Sequence, residues 1–512
     1  MNRHHKRRRL ASLAACVGTT AALAALGYAG PALATVTCRA PGYASGSSFQ
    51  STAQHSVFLT TTGWGAPGIS KCTVTPTSST MTYTATASGP GLEEFGNTAG
   101  HFLPEKDQTA FHSETGTKDA AGQVLDWFTG TDDAPTPREL GEAALAAGTL
   151  HNQKAEITIP IAQEPAVVML SLPAGCKLQA GSAVDLNNTT LPQLWEATTA
   201  PSGEDPGGVQ PQNGYAINTW GAFFSQLGYS KITSGTPEAG QFLDEGGSTG
   251  CGQEIKPQVR QTSSGTSFVF KSYLSQINPA VWNGFAADAP SWPNGSVVTT
   301  NLKTGSETEH LLNDTGGHLA QNTAANPGSV GYTNTADAAN VSNGGFSNAA
   351  TASTYSTGAA ETHSPSHQIL WAEVQNNGLS TEGATYEDPL LPASSIGNCE
   401  TTKILPAEEG FPYSYTDSWY GLLASDPNIS ADAGATDYPL CGLTYDLVFH
   451  HYSNKHLFGN TETAHEVANT VRDLFEYITG QGQIDIQSHD YTRYPTGFQS
   501  HINNAVNPGI GF

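Results

Sequence analysis

Two apolar runs stand close together near the first third of the chain, Ile157-Thr-Ile-Pro-Ile161 and Ala166-Val-Val-Met-Leu-Ser-Leu172. They are nearly continuous rather than alternating, which predicts strands buried on both faces, as in a parallel sheet covered by helices. Met81-Thr-Tyr-Thr-Ala-Thr86 predicts a short β segment earlier in the chain, and Leu443-Thr-Tyr-Asp-Leu-Val-Phe449 a strand near its end. After that strand the period changes. Val467, Val471, Leu474, Phe475 and Ile478 fall on one helical face, Thr463-x-x-Glu466 supplies a capping box and Gly480 a stop. Strands mixed with helices in this way predict an α/β architecture, its C-terminal strand and helix completing one lobe.

Three small-residue clusters read as helix starts: Gly46-Ser-Ser-Phe49 before a helix over 50–59, Ser88-Gly-Pro-Gly91, and Ser263-Ser-Gly-Thr266 before an apolar run reaching Leu274. Between the patterned segments, residues 196–215, 233–258 and 313–366 are rich in Pro, Gly, Ser, Asn, Ala and Thr and predict loops. The last tract is read as a polar surface insertion outside the core. A chain of 512 residues exceeds what one compact core organises, so two lobes are expected. Their boundaries are placed at 36–160 plus 432–512 for the first and 161–431 for the second.

Charge narrows the partners. Only 13% of residues are charged, so loops and surface must be built from neutral polar side chains. The formal net charge of −24 argues against nucleic acid and against anionic membranes. Residues 1–35 read as an export signal: a basic start (Arg3, Lys6, Arg7, Arg8, Arg9), an apolar segment over 10–27 and the small-residue site Ala32-Leu33-Ala34. Leu13-Ala14-Ala15-Cys16 imitates a lipoprotein cleavage box, but most of the apolar segment follows Cys16 instead of preceding it. No later stretch offers about 18 consecutive apolar residues, so the mature chain is expected to be secreted or held at the extracellular face of the membrane. Six cysteines remain beyond Cys16, and an even number in an exported chain predicts disulfides. Nearest-neighbour pairing is expected among the possible connectivities: Cys38 with Cys72, Cys176 with Cys251, Cys399 with Cys441.

The chemistry concentrates before the run at 267–274. Arg260 lies four residues upstream of Ser264, and a helix N-terminus offers unpaired N–H groups and the positive end of its dipole. Hydroxyls, helix-start amides and a forked guanidinium together suit a tetrahedral oxyanion. The plain alternative is a capped helix with a surface arginine. Gly246-Gly-Ser-Thr-Gly250 matches G-x-S-x-G, but a nucleophile elbow needs a strand before it and a helix after it. His363 and His367, or His450, His451 and His456, are the candidate metal ligands, at no recognised spacing. No cofactor is expected.

The segment Arg260-Gln-Thr-Ser-Ser-Gly-Thr-Ser-Phe-Val-Phe-Lys-Ser-Tyr-Leu274 resembles the signature of the extracellular phosphate receptors of ABC importers. GSSF at 46–49, ASGPG at 87–91, TDDAP at 131–135, AVVMLSL at 166–172, LPQLW at 191–195, PGSVGY at 327–332, YPLCGLTYDLVF at 438–449 and DYTRYP at 490–495 follow in the family's order. The resemblance implies a type II periplasmic-binding-protein fold, two α/β lobes joined by crossing strands, with a cleft for the anion. It places the ligand on Ser48, the backbone N–H of Phe49, Ser88, Asp133, Arg260, Ser264, Gly265 and Thr266, with Asp132 as the register alternative to Asp133. It implies a monomer that binds inorganic phosphate for a membrane ABC permease and is not an enzyme. The other classes are a secreted, phosphatase-like hydrolase and a scaffold turned to adhesion or sensing. Where the family commonly carries an acid two positions after the arginine, this chain has Thr262.

Overall fold

The computed structural model describes residues 36–39, 41–73, 81–89, 91, 117–118, 124–133, 156–196, 217–260, 264–283, 292, 313, 315–352, 355–357, 361–363, 367–377, 385–392, 394–401, 424–428, 437–449, 452, 461–495, 502, 506 and 510. The export segment, Thr262, His450, His451 and His456 lie outside them.

Nine strands among the described residues form one sheet. Its main path uses β1 (Gly42–Gly46), β2 (Met81–Ala85), β3 (Phe128–Thr131), β4 (Glu156–Ser171), β5 (Lys256–Pro257), β6 (Ser329–Asn334) and, after the off-path β7 (Gln368–Trp371), β8 (Cys441–Phe449). The order is β5-β6-β4-β8-β3-β1-β2. The two apolar runs of the sequence are therefore one 16-residue strand. It pairs antiparallel with β6, β7 and β8, which corrects the expectation of a parallel setting. Burial on both faces alone makes such a run apolar, whatever the direction of its neighbours. Parallel pairing does occur where β1 meets β2 and β3.

Two hydrophobic cores divide this sheet, and β4 and β8 cross from one to the other. Ile157, Ile159 and Ile161 of β4 and Leu443, Leu447 and Val448 of β8 pack with Phe58, Trp64, Phe128 and Phe475. Ala166 to Leu170, Leu172 and Cys441 belong to the other core, with Trp195, Trp220, Phe270, Leu319 and Tyr332. The helix of the C-terminal pattern runs Thr461–Ile478, with all five stripe residues buried.

Residues 316–334, within the tract 313–366, are part of the core and not a surface insertion. They contain the helix Gly316–Ala325 and β6, whose Val330 and Tyr332 are buried against β4. The tract looks polar because its packing residues are small: Leu319, Ala320 and Ala324 line the helix, and Thr323 satisfies its hydroxyl on the Leu319 carbonyl at 2.8 Å. Likewise, 233–258 contains the strand Gln241–Asp244 and β5 beside its turns.

All three expected disulfides are present: Cys38–Cys72, Cys176–Cys251 and Cys399–Cys441. Gly247–Thr249 is one short 3-10 turn with no α-helix after it, so the nucleophile elbow is not built. His367 is buried with Nε2 2.9 Å from the Ala324 carbonyl oxygen, and burial lowers its pKa to about 4, which makes it a core histidine. Among the described residues no cluster suits a metal ion, and no helix is long and apolar enough to cross a membrane.

Candidate functional site

Helix α1 (Gly265–Ile277) begins where the sequence places it. Ser264 sits in extended conformation and accepts the N–H of Ser267 at 3.3 Å, while Val269, Phe270, Tyr273 and Leu274 anchor the helix in its core. The cap and the buried face fix the first turn, so Ser264, Gly265 and Thr266 are buried at a defined place. Arg260 is 2% exposed. Its backbone N–H donates to the Tyr332 hydroxyl at 3.3 Å, its Nε to the Asn313 carbonyl at 3.1 Å and its Nη1 to Ser48 Oγ at 3.4 Å. The reading as a surface arginine is thereby excluded.

Ser48 comes from the other end of the fold. The chain leaves β1 through Gly46, at φ 134°, and enters the short helical segment Ala53–Phe58, which realises part of the helix expected over 50–59. Ser48 Oγ accepts the N–H of Gly316 at 3.1 Å as well as the arginine's N–H. Gly316 opens helix α2 (Gly316–Ala325), capped by Thr315, whose hydroxyl accepts the His318 N–H at 3.1 Å. The N-terminus of α2 and a guanidinium thus meet at one serine. Phe49 is buried in the core of β4's second half, away from the helical segment that follows it. Its N–H donates to Ser47 Oγ at 3.0 Å, and its carbonyl accepts from Tyr491 at 2.6 Å. The Phe49 N–H that the resemblance gives to the ligand is used by Ser47.

Ser88 follows β2 in a tight turn. Ala87 sits at φ 88°, a left-handed conformation that costs a non-glycine residue about 1–3 kcal/mol and that clusters at functional sites. A Cβ on Gly265 would lie 2.6 Å from Ser88 Oγ and 2.6 Å from Asp132 Cβ, so α1 approaches this turn as closely as only glycine permits.

Asp132, the register alternative to Asp133, brings a carboxylate into this cluster. Asp132 is 2% exposed and accepts from Ser47 Oγ at 2.6 and 2.7 Å and from Thr444 Oγ1 at 2.8 Å, with Ser88 Oγ at 3.5 Å. Asp133 is half-buried. Thr131 sets the register: its Oγ1 accepts the Asp133 N–H at 3.1 Å and donates to the Asp133 carbonyl at 2.9 Å, turning the chain after Asp132. Burial raises the Asp132 pKa to about 6, against hydrogen bonds from Ser47 and Thr444 and the charge of Arg260, which lower it.

Of the residues named from the sequence, Ser48, Ser88, Arg260, Ser264, Gly265 and Thr266 are all buried in this region. Motif reading missed Asn313, which holds the guanidinium by its carbonyl, and Gly316 and Asp337. Asp337 Oδ2 is buried and has no hydrogen-bond partner among the described residues, and a Cβ on Gly316 would overlap it.

No protein-family model and no curated protein matches the chain. Solved structures do. A high-affinity periplasmic phosphate-binding protein, solved with phosphate at pH 8.5, is similar at 15% identity over 92% of this chain and 96% of its own, with a TM-score of 0.50. A phosphate-binding protein from Stenotrophomonas maltophilia is 17% identical over 92% and 97%, at 0.46. The ancestral soluble variant of the human phosphate-binding protein is 14% identical over 91% and 97%, at 0.49. At such identities a likeness carries the fold and nothing finer. With the sheet order above, the first of these shows that the chain shares the α/β fold of that phosphate-binding protein.

Proposed function

We propose that the chain is an exported solute-binding protein that captures inorganic phosphate and presents it, as a monomer, to a membrane ABC permease. Two lobes, 36–160 plus 432–512 and 161–431, each hold most of one core and are joined by β4 and β8, and residues 1–35 are removed on export. The signature at 260–274 and the likeness of fold support this reading. The observation that carries it is the buried Asp132 carboxylate lying against the N-terminus of α1, with Arg260 close enough to lower its pKa.

A carboxylate among anion-binding donors is repulsive unless the anion brings a proton. Phosphate near neutral pH retains a P–OH that can donate to Asp132; sulfate does not, and would set acceptor against acceptor. Arg260, the N–H groups of Gly265 and Thr266, and the hydroxyls of Ser48, Ser88 and Ser264 supply the donors for the remaining oxygens. The net charge of −24 does not oppose this, because surface charges are screened over about 8 Å at physiological salt while the buried donors act at contact. The hydrolase reading loses its nucleophile with the unbuilt elbow.

Thermal melting of anion-stripped protein in sulfate buffer tests the proposal. Phosphate at a hundredfold excess over Kd stabilises the folded form by about 2.7 kcal/mol. An unchanged melting point with millimolar phosphate leaves the adhesion or sensing scaffold as the reading.

A further inference from the structure

The donor set faces a second carboxyl. Asp337 lies in the short helix Thr335–Ala339 that follows β6, and its Oδ2 occupies the space a Cβ would take on Gly316, the first residue of α2, whose N–H Ser48 Oγ accepts. That oxygen is buried and has no hydrogen-bond partner among the described residues. An ionised carboxylate oxygen left so is costly, and the cost is removed by a proton or by a ligand that pairs with it.

Every charged neighbour bears on which of the two applies. Arg260 and His318 favour the ionised form, Asp132 across the site opposes it, and burial outweighs them, raising the Asp337 pKa to about 7. Glu164 of β4 and Tyr491 also feel the Asp337 charge. Glu164, itself raised by burial, accepts the Ala336 N–H at 2.7 Å and the Thr335 hydroxyl at 3.0 Å, which fixes the turn that carries Asp337 at this place. Two carboxyls therefore border one cluster of anion donors. Asp132 has its hydrogen bonds from Ser47 and Thr444 and is equipped to stay ionised as an acceptor; Asp337 Oδ2 has none and is equipped to hold a proton.

We propose that Asp337 is a further ligand-contacting residue of this site, which acts in its protonated form: its O–H donates to an anion oxygen at the N-terminus of α2, so anion binding takes up a proton on the protein. The inference rests on the phosphate reading above. The proton comes from the buffer, which is left deprotonated, and no bond other than the hydrogen bond is formed. Such a site reads the anion twice, a P–OH against Asp132 and a bare oxygen against Asp337, and its affinity falls as pH rises and Asp337 loses its proton.

Calorimetric titration of the anion-stripped full chain with inorganic phosphate at pH 7.5, in two buffers of different ionisation enthalpy, counts the protons exchanged. The wild type is expected to take up more protons than D337N, by a sizeable fraction of one per phosphate, and D337N is expected to bind with an affinity that no longer falls between pH 7 and 8.5 in the wild-type manner. Equal proton counts and parallel pH profiles overturn the role of Asp337 while leaving phosphate binding intact; no binding heat in the wild type overturns the phosphate reading itself. Should D337N fail to fold, the wild type decides through its infrared difference spectrum. A protonated-carboxyl band that grows with phosphate at pH 8 supports the proposal, and its absence refutes it.

Discussion

Replacing Gly265 by alanine separates binding from folding. The added Cβ would sit 2.6 Å from Ser88 Oγ, 2.6 Å from Asp132 Cβ and 2.8 Å from the Asp132 nitrogen. Ordinary contact begins near 3.4 Å, so α1 and the Ser88–Asp132 wall must part by roughly 0.8 Å, and backbone on one side leaves little room to yield. Overpacking of this kind costs about 1–3 kcal/mol. If the two walls belong to lobes that move apart, the cost falls on the closed, ligand-holding form alone. Phosphate affinity is then expected to drop roughly 5- to 150-fold, since about 1.4 kcal/mol is a factor of ten. Ligand-free stability should be unchanged or slightly higher, because alanine is a better helix residue than glycine by up to about 1 kcal/mol. Calorimetric titration gives the first quantity and denaturant unfolding without phosphate the second. Parental affinity in G265A would refute the placement of α1 against Ser88 and Asp132, and an equal loss in both assays would refute the separation of the walls into moving lobes.

Three further outcomes are expected. D132N should weaken phosphate binding by about 10- to 150-fold, the worth of a hydrogen bond to a charged group, and narrow the discrimination against sulfate, while D133N stays near the parent in the same titration. Phosphate affinity of the wild type should fall below pH 6 by up to about tenfold per unit as Asp132 gains its proton, and D132N should lose this acid limb. Folding stability carries the opposite sign: the raised pKa of Asp132 contributes stability that is fully present below pH 3.8 and lost as pH rises through about 6, a trend D132N should flatten in urea melts. Reduction should destabilise the protein strongly, since bridges closing loops of 34, 75 and 42 residues constrain the unfolded chain by roughly 4 kcal/mol each in the chain-entropy account. Thiol labelling of denatured, unreduced protein that finds the six cysteines free would contradict it.

What could be read from the sequence was whatever one segment specifies by itself. Ser264 caps α1 because a serine before a glycine and an apolar run does so in any fold, and the 467–478 stripe buries itself wherever a core is offered. What escaped depends on partners far along the chain. The direction of the strands beside β4 does not alter the composition of a strand buried on both faces. Ala320, Thr323, Ala324 and Gly331 pack tightly because they are small, and small neutral residues are also what loops use. The choice between Asp132 and Asp133 is made by the Thr131 side chain, which turns the backbone one residue later than a motif can specify. Asn313 and Asp337 approach Arg260 from segments that no pattern in the sequence ties to it; the Asn313 carbonyl shows that the arginine is held without relying on an acid at position 262.

The proposed function requires a single phosphate held at Arg260 and the N-terminus of α1. Equilibrium dialysis of anion-stripped protein against radiolabelled phosphate, in a large excess of sulfate, measures it directly. One phosphate is expected to be retained per wild-type chain and almost none by R260A of unchanged fold. Equal retention by the two proteins, or displacement of phosphate by sulfate in the wild type, would contradict it.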